Sequence, residues 1–178
     1  MIHPAEITAA LRGMVVLVDT REQDTPKLRR RLEQMAVPTE REALDFGDYS
    51  AKFPLPSSEW LSLKNLVCVE RKMSLDELAS CFGRDRARFT REFERAKAQG
   101  AKVYLLIEQS SWEDAFAGHY RSKMSSQSLT ASMLAWLARY DCQIIMCRAE
   151  TTGKLIHDIL YREGKERLEK MAGEEETC

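Results

Sequence analysis

The feature that most constrains this chain is a short apolar run, residues 67–72, that ends in three charges of mixed sign. Its first residues, Val-Cys-Val, predict a buried strand. Side chains alternate between the two faces of a strand, so Glu70 and Lys72 share one face and Arg71 lies on the other. Burying charge is costly. Two interpretations stay open at this point: a structural ion pair, or a site where the carboxylate holds a metal ion and the lysine acts on a water molecule or a phosphate.

Apolar runs of this kind alternate with helical patterns along the chain. Three more runs predict core strands, at 14–18, 103–107 and 144–147, and weaker strand patterns occur at 39–44, 47–53 and 60–63. Amphipathic or capped segments predict helices at 4–12, 26–36, 74–82, 85–99, 125–137 and 152–170. This alternation indicates an α/β fold with a central sheet covered by helices on both faces. No glycine-rich phosphate loop follows the first strand, which argues against a dinucleotide or P-loop nucleotide site.

Length and composition bound the class of protein. The 178 residues predict one domain over 1–171, with a core at 14–150, the last helix at 152–170 and a disordered acidic tail at 172–178. No apolar run approaches the ~18 residues of a membrane span. The N-terminus lacks a signal-peptide pattern, and the five scattered cysteines form no Cys-x-x-Cys pair, so we expect a cytoplasmic protein with reduced thiols. With a net charge of −1, only a local basic patch could bind nucleic acid.

Carboxylates collect at the predicted strand ends. Asp19 and Glu22 follow the first strand, Asp48 begins another, and Asp76 lies one helical turn after Lys72. If these ends converge, the carboxylates repel one another unless a cation neutralises them. Ligand oxygens without histidine or cysteine suit Mg²⁺ or Mn²⁺. A divalent ion beside a lysine is a recurring arrangement for phosphodiester hydrolysis, because the metal lowers the pKa of a bound water and the lysine orients that water or stabilises developing charge.

The order of these residues resembles a known family. Gly47-Asp48, then Glu70-Arg71-Lys72 and, after three residues, Asp76 are similar to the GD…ERK-x-x-x-D signature of the XPF-type structure-specific endonucleases. The Asp19-Thr-Arg-Glu segment resembles that family's first motif, and the likeness runs from about residue 15 to residue 147. It implies a restriction-endonuclease-like PD-(D/E)xK fold, with a central mixed sheet between helices, that cleaves DNA with Mg²⁺ or Mn²⁺.

The resemblance also implies roles for individual residues. Asp48 and Glu70 would ligate the metal, and Lys72 would position the attacking water. Asp19, Glu22 and Asp76 would complete or support the acidic cluster. The implied catalytic set is Asp48, Glu70, Lys72, Asp19, Arg71 and Asp76, and the implied metal ligands are Asp48, Glu70, Asp19 and Glu22.

Two features depart from the family pattern. The segment between Asp48 and Glu70 is longer than usual, which predicts an extended hairpin at 54–65. Nothing after residue 150 resembles the tandem helix-hairpin-helix module that many members use to dimerise and grip DNA. The likeness is therefore to a stand-alone nuclease domain of the bacterial or phage-borne kind. It is compatible with cleavage of branched or flapped DNA. The last amphipathic helix could form a homodimer interface or pack on its own domain.

Basic residues near the predicted site could contact DNA phosphates. Four arginines repeat at helical spacing opposite Phe89 and Phe93, and a second basic group precedes the helix that begins at 125–128. The DNA-contact candidates are Arg21, Arg84, Arg88, Arg91, Arg95, Arg121 and Lys123. Acidic residues interleave with the arginines, so a solvated, salt-bridged face is the competing interpretation. Lys27, Arg29, Arg30 and Arg31 form a further basic cluster, for which an ordinary solvated helix face is favoured over DNA contact.

The sequence thus predicts a metal-dependent DNA endonuclease. Two other functions fit the same fold: a non-catalytic DNA-binding or scaffolding partner, and a resolvase-like or restriction-like nuclease. The complete set of acidic residues and lysine favours an enzyme over the scaffolding partner. Only substrate profiling separates the nuclease types.

Overall fold

A seven-stranded mixed sheet runs through residues 3–174, the part of the chain that the computed structural model describes. The strands are β1 (Val15–Asp19), β2 (Thr39–Glu42), β3 (Tyr49–Pro54), β4 (Trp60–Ser62), β5 (Val67–Lys72), β6 (Lys102–Glu108) and β7 (Gln143–Cys147). The helices are α1 (Pro4–Arg12), α2 (Pro26–Met35), α3 (Leu75–Phe82), α4 (Arg86–Ala98), α5 (Trp112–Ala117), α6 (Ser126–Tyr140) and α7 (Ala149–Glu174).

The sheet consists of two halves that meet at its centre. The strand order is β2-β1-β3-β5-β6-β7, and β4 pairs with β3 as the second arm of a hairpin, as predicted for residues 54–65. β1 is parallel to β2 and antiparallel to β3, whereas β5, β6 and β7 are parallel to one another. Between β3 and β5 the register contains the single pair Tyr49 and Val69. We call this junction the seam.

Helices cover both faces of the sheet, which confirms the predicted α/β class. On one face, helices α3 to α6 enclose an aromatic core that contains Phe89 and Trp136. On the other face, α1, α2 and α7 pack over a second core that contains Phe53 and Leu160. Each sheet face therefore buries its own apolar layer, and the charged strand ends are left at the edge between the layers.

Hydroxyl caps set several helix starts. The side chains of Thr25, Ser74 and Ser125 accept hydrogen bonds from backbone N–H groups in the first turns of α2, α3 and α6. The start of α4 differs from the prediction: Asp85 precedes its first turn, and Arg84 lies in the turn before the helix. The stripe of four arginines therefore has only three members on α4.

The last helix is longer than predicted. It begins at Ala149, immediately after β7, and continues to Glu174. Residues 172–174, predicted to belong to a disordered tail, are therefore helical, and the rest of that predicted tail, 175–178, lies outside the described residues. A Cβ on Gly164 would lie 2.2 Å from Cζ of Phe53, and one on Gly153 would lie 2.2 Å from the Arg31 carbonyl oxygen. These glycines let α7 approach β3 and α2 closely. No helix within residues 3–174 is long and apolar enough to cross a membrane.

Candidate active site

Backbone hydrogen bonds bring the ends of three strands together. Asp19 N–H donates to the Asp48 carbonyl and Asp48 N–H donates to the Val69 carbonyl, each at 2.9 Å. Arg71 N–H donates to Oδ2 of Asp48 at 2.7 Å. Gly47 adopts φ of +74°, and a Cβ there would lie 2.6 Å from Cβ of Cys68. Glycine is therefore required before Asp48, because this turn has a left-handed backbone and no space for a side chain.

Glu70 and Lys72 lie side by side on one face of β5, as the alternation of the strand predicts. Lys72 Nζ donates to Oε1 of Glu70 at 2.5 Å. The two residues are only 5% and 8% exposed. Lys72 Nζ also lies 5.2 Å from the ring centroid of Phe89 on α4, within cation–π range. The ammonium is thus confined between a carboxylate and an aromatic ring.

Burial and charge shift the protonation equilibria of this group. Burial, with repulsion from Glu70 in second place, raises the pKa of Asp48 well above its ordinary value. Burial also raises the pKa of Glu70, although Lys72 favours its charged form. For Lys72, burial disfavours the charged ammonium, but the nearby Glu70 carboxylate outweighs it and the pKa is raised. Burial thus disfavours the charged forms of both carboxylates, and a further cation nearby would stabilise those charged forms.

The donor atoms fit a hard divalent cation. Asp48 and Glu70 offer carboxylate oxygens only, and Mg²⁺ is usually held by one or two carboxylates while it keeps waters and takes substrate phosphate oxygens. Across residues 3–174, no three side chains of His, Cys, Asp or Glu form a ready metal cage. The two carboxylates could hold a hard divalent ion together with waters and a substrate phosphate.

Asp19 is engaged away from this pair. Its buried carboxylate accepts from the backbone N–H and Nε of Arg21, at 2.8 and 2.6 Å, and from Leu44 N–H at 2.8 Å. Burial would raise the pKa of Asp19, but these hydrogen bonds outweigh it and lower the pKa. Asp19 thus fixes Arg21 and the segment after β2, and this geometry lends no support to its predicted role as a metal ligand.

Glu22 lies closer to the pair. Its carboxylate accepts from the Tyr49 hydroxyl at 3.1 Å and forms a 3.6 Å ion pair with Arg31. After burial and Glu70, its charge also contributes to the raised pKa of Asp48. Of the acidic residues implied beyond Asp48 and Glu70, Glu22 is the one that acts electrostatically on the pair.

A buried arginine on α2 was missed by the sequence interpretation. Arg31 is only 6% exposed, so treating the whole run 27–31 as a solvated face was wrong. It donates to the Tyr49 hydroxyl at 2.7 Å and forms a 3.5 Å ion pair with Glu108. The signal was available: Arg31 lies three residues after Leu28 and four before Met35, so it shares their buried face.

Glu108 was also missed as a member of the network. It ends β6 next to β5, and Arg71 binds it in a bidentate manner, with donor–acceptor distances of 2.8 and 2.7 Å. Burial would raise the pKa of Glu108, but the hydrogen bonds from Arg71 lower it. Because the carboxyl ends of parallel neighbouring strands meet at one edge, the position of Glu108 at the end of β6 was the usable signal. Arg71 thus serves to hold Glu108, while its backbone N–H contacts Asp48.

Asp76 fixes a loop and is not brought to the carboxylate pair. Its Oδ1 accepts from the N–H groups of Arg121 and Ser122, both at 2.7 Å, and its Oδ2 accepts from Nε of Arg121 at 3.3 Å. Burial would raise the pKa of Asp76, but these hydrogen bonds lower it. The predicted supporting role in the acidic cluster is therefore replaced by a structural one, in which α3 anchors the loop before α6.

Two further acidic residues surround Glu70 and were not predicted. Glu77 accepts from Met73 N–H at 2.6 Å, and Glu92 on α4 lies 4.0 Å from a guanidinium nitrogen of Arg21. After burial and the opposing effect of Lys72, both add to the raised pKa of Glu70. Their spacing from the recognised motifs gave no signal, because both are placed by helix packing.

An open cleft of about 840 Å³ runs along this edge of the sheet. Its basic lining includes Arg21, Lys27, Arg71 and Arg88, and its acidic lining includes Glu22. Asp48, Glu70 and Lys72 do not line it themselves, but Arg71 and Met73, the two chain neighbours of Lys72, do. We call it the catalytic cleft because it adjoins Lys72 in this way. Of the predicted DNA contacts, Arg21 and Arg88 line it.

The remaining basic candidates lie elsewhere. Arg91 is exposed on α4, and Arg95 donates to the Asp45 carbonyl at 3.1 Å. Arg84 pairs with Asp85 outside the helix, and Arg121 is held by Asp76. Lys123 is exposed. The predicted arginine stripe thus contributes one residue, Arg88, to the cleft.

Comparisons with known proteins agree with this fold. The structure resembles XPF from Aeropyrum pernix, with 22% identity and a TM-score of 0.57, over 82% of this chain and 64% of that chain. It also resembles XPF from Aeropyrum pernix in complex with DNA, with 22% identity and a TM-score of 0.59, over 86% and 66% of the two chains. The chain thus spans about two thirds of each solved chain. No curated protein matches it.

The family is shown by a wider match. The model of the ERCC4 domain matches residues 18–159, a span that includes Asp19, Asp48, Glu70, Lys72 and the whole catalytic cleft. The XPF-type resemblance stated from the sequence motifs is therefore confirmed. The chain belongs to the ERCC4 domain family, a nuclease-domain family of the restriction-endonuclease-like superfamily.

Proposed function

We propose that this chain is a Mg²⁺- or Mn²⁺-dependent endonuclease that hydrolyses DNA phosphodiester bonds in the catalytic cleft. The observation that carries the proposal is the group of Asp48, Glu70 and Lys72, which three different backbone contacts hold at one end of the sheet. Fold and family alone would also suit a non-catalytic relative. A buried lysine beside two carboxylates of raised pKa has a cost in stability that a catalytic role accounts for.

Each residue has a distinct task in this proposal. Asp48 and Glu70 would hold the divalent ion, which supplies Lewis-acid polarisation of the phosphate and a more acidic bound water. Lys72 has three N–H donors and no acceptor while it is protonated. It therefore acts as a donor that orients the attacking water or stabilises negative charge on the phosphate. Glu22 adds negative charge near Asp48 and favours retention of the cation.

The surface of the cleft supports DNA as the substrate. Arg21, Lys27 and Arg88 line it from three different segments, so a backbone with regularly spaced phosphates would meet cations on both walls. One of the two solved XPF chains is in complex with DNA. By family likeness we extend the proposal to branched or flapped DNA as preferred substrates.

The test is cleavage of linear, flapped and branched DNA with Mg²⁺, with Mn²⁺ and with EDTA. Asp48→Asn and Lys72→Ala should each lose about 10²–10³-fold in rate, the scale of losing one transition-state contact. Asp45→Asn is the matched control, since Asp45 is an exposed carboxylate three residues earlier and should leave the rate unchanged. Activity that persists in both active-site variants contradicts the proposal. DNA binding with no cleavage by wild type under any metal favours the scaffolding alternative.

We also propose that the chain forms a homodimer and works in the cytoplasm. β7 is an edge strand, and its apolar residues Ile144, Ile145 and Met146 remain partly exposed. A second copy would cover this edge. The four cysteines within residues 3–174 are free thiols, which suits a reducing compartment. Light scattering over a range of protein concentrations tests the dimer, and a constant monomer mass contradicts it.

A further inference from the structure

The catalytic cleft continues into a second cavity beside it. This side pocket has a volume of about 260 Å³ and shares Lys27, Arg31 and Met73 with the cleft. Its walls come from α2 and from the first residues of α7. Met73, the residue directly after β5, lines both cavities and is 46% exposed. A ligand that lies in the cleft can therefore extend past Met73 into the side pocket.

The side pocket is lined by two cations that form no ion pair with an acidic side chain of the described residues. Within residues 3–174, neither Lys27 nor Arg30 has an ion pair with a carboxylate, and both are exposed. The neighbouring residue Arg29 is different, because it binds Asp24 in a bidentate manner at 2.8 and 2.7 Å. Two cations three residues apart on α2, neither paired with a carboxylate, thus line the pocket, and Nζ of Lys27 lies 4.0 Å from Sδ of Met73.

The acidic residues in the side pocket do not cancel this charge. Glu108 at its base is already bound by Arg71 and by Arg31. Glu150 at the start of α7 is the other carboxylate in the lining. One uncompensated carboxylate faces two uncompensated cations, and the pocket remains net positive. Gln34, which donates to the Ala149 carbonyl at 3.3 Å and accepts from Gly153 N–H at 2.9 Å, fixes the wall of α7 against α2.

We propose that the side pocket binds the phosphate and sugar of a nucleotide in the same DNA strand that is cut, beyond Met73 from the scissile phosphate. This inference rests on the proposed function. A negatively charged group suits the cations, and the apolar thioether of Met73 suits a sugar that passes over it. The preferred substrates are then strands that continue through the cut site on the Met73 side, and strands that end there lack one phosphate contact.

The experiment measures DNA affinity without cleavage, in the Asp48→Asn background. Lys27→Ala with Arg30→Ala forms the test variant, and Arg29→Ala on the same helix is the matched control. Each protein binds a continuous strand and two shortened strands, one ending at the cut site in each direction. All three substitutions are on exposed side chains, and thermal unfolding of each variant checks that the fold is retained.

On the continuous strand, the double variant should bind about 10-fold more weakly, and the slope of log K against log salt should fall by about 1, as expected for the loss of one phosphate contact. On the strand shortened on the Met73 side, the same variant should lose less than twofold. Arg29→Ala should match its parent on every strand. An equal loss on continuous and shortened strands would mean that Lys27 and Arg30 act only through the general field of the protein, which overturns the proposal.

Two further outcomes separate this inference from its neighbours. Inorganic phosphate and a mononucleotide are added as competitors. If either one stabilises the protein against thermal unfolding while DNA affinity does not depend on strand length, the pocket is a small-anion site and the DNA assignment is overturned. Cleavage by wild type is measured in parallel. Strand-dependent loss of DNA affinity without any cleavage by wild type supports the side pocket and contradicts the proposed function. Cleavage by wild type without that loss of affinity supports the proposed function and contradicts the side pocket.

Discussion

Replacing Arg31 by methionine tests the network behind the catalytic cleft. Methionine keeps a long, flexible and apolar stem but removes the guanidinium that contacts Glu22, Tyr49 and Glu108. These three partners come from the segment after β1, from β3 and from the end of β6. Among the described residues of α2, Arg31 is therefore the only one whose side chain forms ion pairs with both halves of the sheet.

The size of the effect follows from what each partner retains. Breaking a buried ion pair costs about 3–5 kcal/mol when a charge is left uncompensated. Glu108 keeps its bidentate partner Arg71, and the Glu22 side chain is 24% exposed and can gain water. The loss should therefore lie at the lower end, at about 3 kcal/mol. For a chain of 178 residues this corresponds to a fall in Tm of about 6–12 °C.

Urea unfolding followed by circular dichroism measures the free energy, and thermal unfolding measures Tm. Arg31→Lys keeps the charge but not the planar fork, so it should recover part of the loss. The control is Arg29→Ala, whose exposed pair with Asp24 is screened by solvent, so its free energy of unfolding should stay close to that of wild type. If the free energy of unfolding of Arg31→Met is within about 1 kcal/mol of the wild-type value, the network makes no measurable contribution to stability and the reasoning from burial is refuted.

Three other changes give distinct outcomes. Gly164→Ala should lower the free energy of unfolding by about 1–2 kcal/mol, because the clash with Phe53 exceeds the helix-propensity gain of about 1 kcal/mol, whereas Gly173→Ala, with open space around its Cβ, should not destabilise. Since the fold lowers the pKa of Asp76, its contribution is present at neutral pH and is lost as pH falls through the folded pKa. The stability difference between wild type and Asp76→Asn, about 1–2 kcal/mol at pH 7, should therefore close below about pH 4 in denaturant titrations, and a difference that does not vary with pH counts against the assignment. Finally, Mg²⁺ should raise the Tm of wild type and leave that of Asp48→Asn unchanged; equal shifts would indicate binding elsewhere.

The central site was predictable because it depends on short-range rules. Strand alternation alone places Glu70 and Lys72 on one face, and the structure has them in contact. The turn that positions Asp48 needs a glycine, and Gly47 stands directly before it. Alternating strand and helix patterns likewise gave the α/β class and the order of the elements, since each pattern reports its own segment.

The surrounding shell depends on partners far apart in the sequence. Arg31 resembles its solvated neighbours until Glu108, 77 positions later, is placed beside it by the packing of α2 against the end of β6. Asp76 lies one turn from Lys72, which predicts a place in the site, but the backbone of residues 121 and 122 takes its oxygens. Arg84 lost its helical position because the turn after Gly83 extends to Asp85. Local periodicity contains no information on such long-range competition.

The seam at the centre of the sheet has a mechanical consequence. Asp48 belongs to the half that contains β1 and β3, and Glu70 belongs to the half that contains β5 and β6. A ligand held by both carboxylates is therefore a cross-link across the seam, where one register pair and a few further hydrogen bonds join the halves. The binding free energy of that ligand then stabilises the contact between the two halves of the sheet. The amide hydrogens of Tyr49 and Val69 should then exchange with solvent through a sub-global opening of the seam, and a bound ligand should suppress that opening. Occupancy of the site can therefore be measured as slower exchange of these two amides.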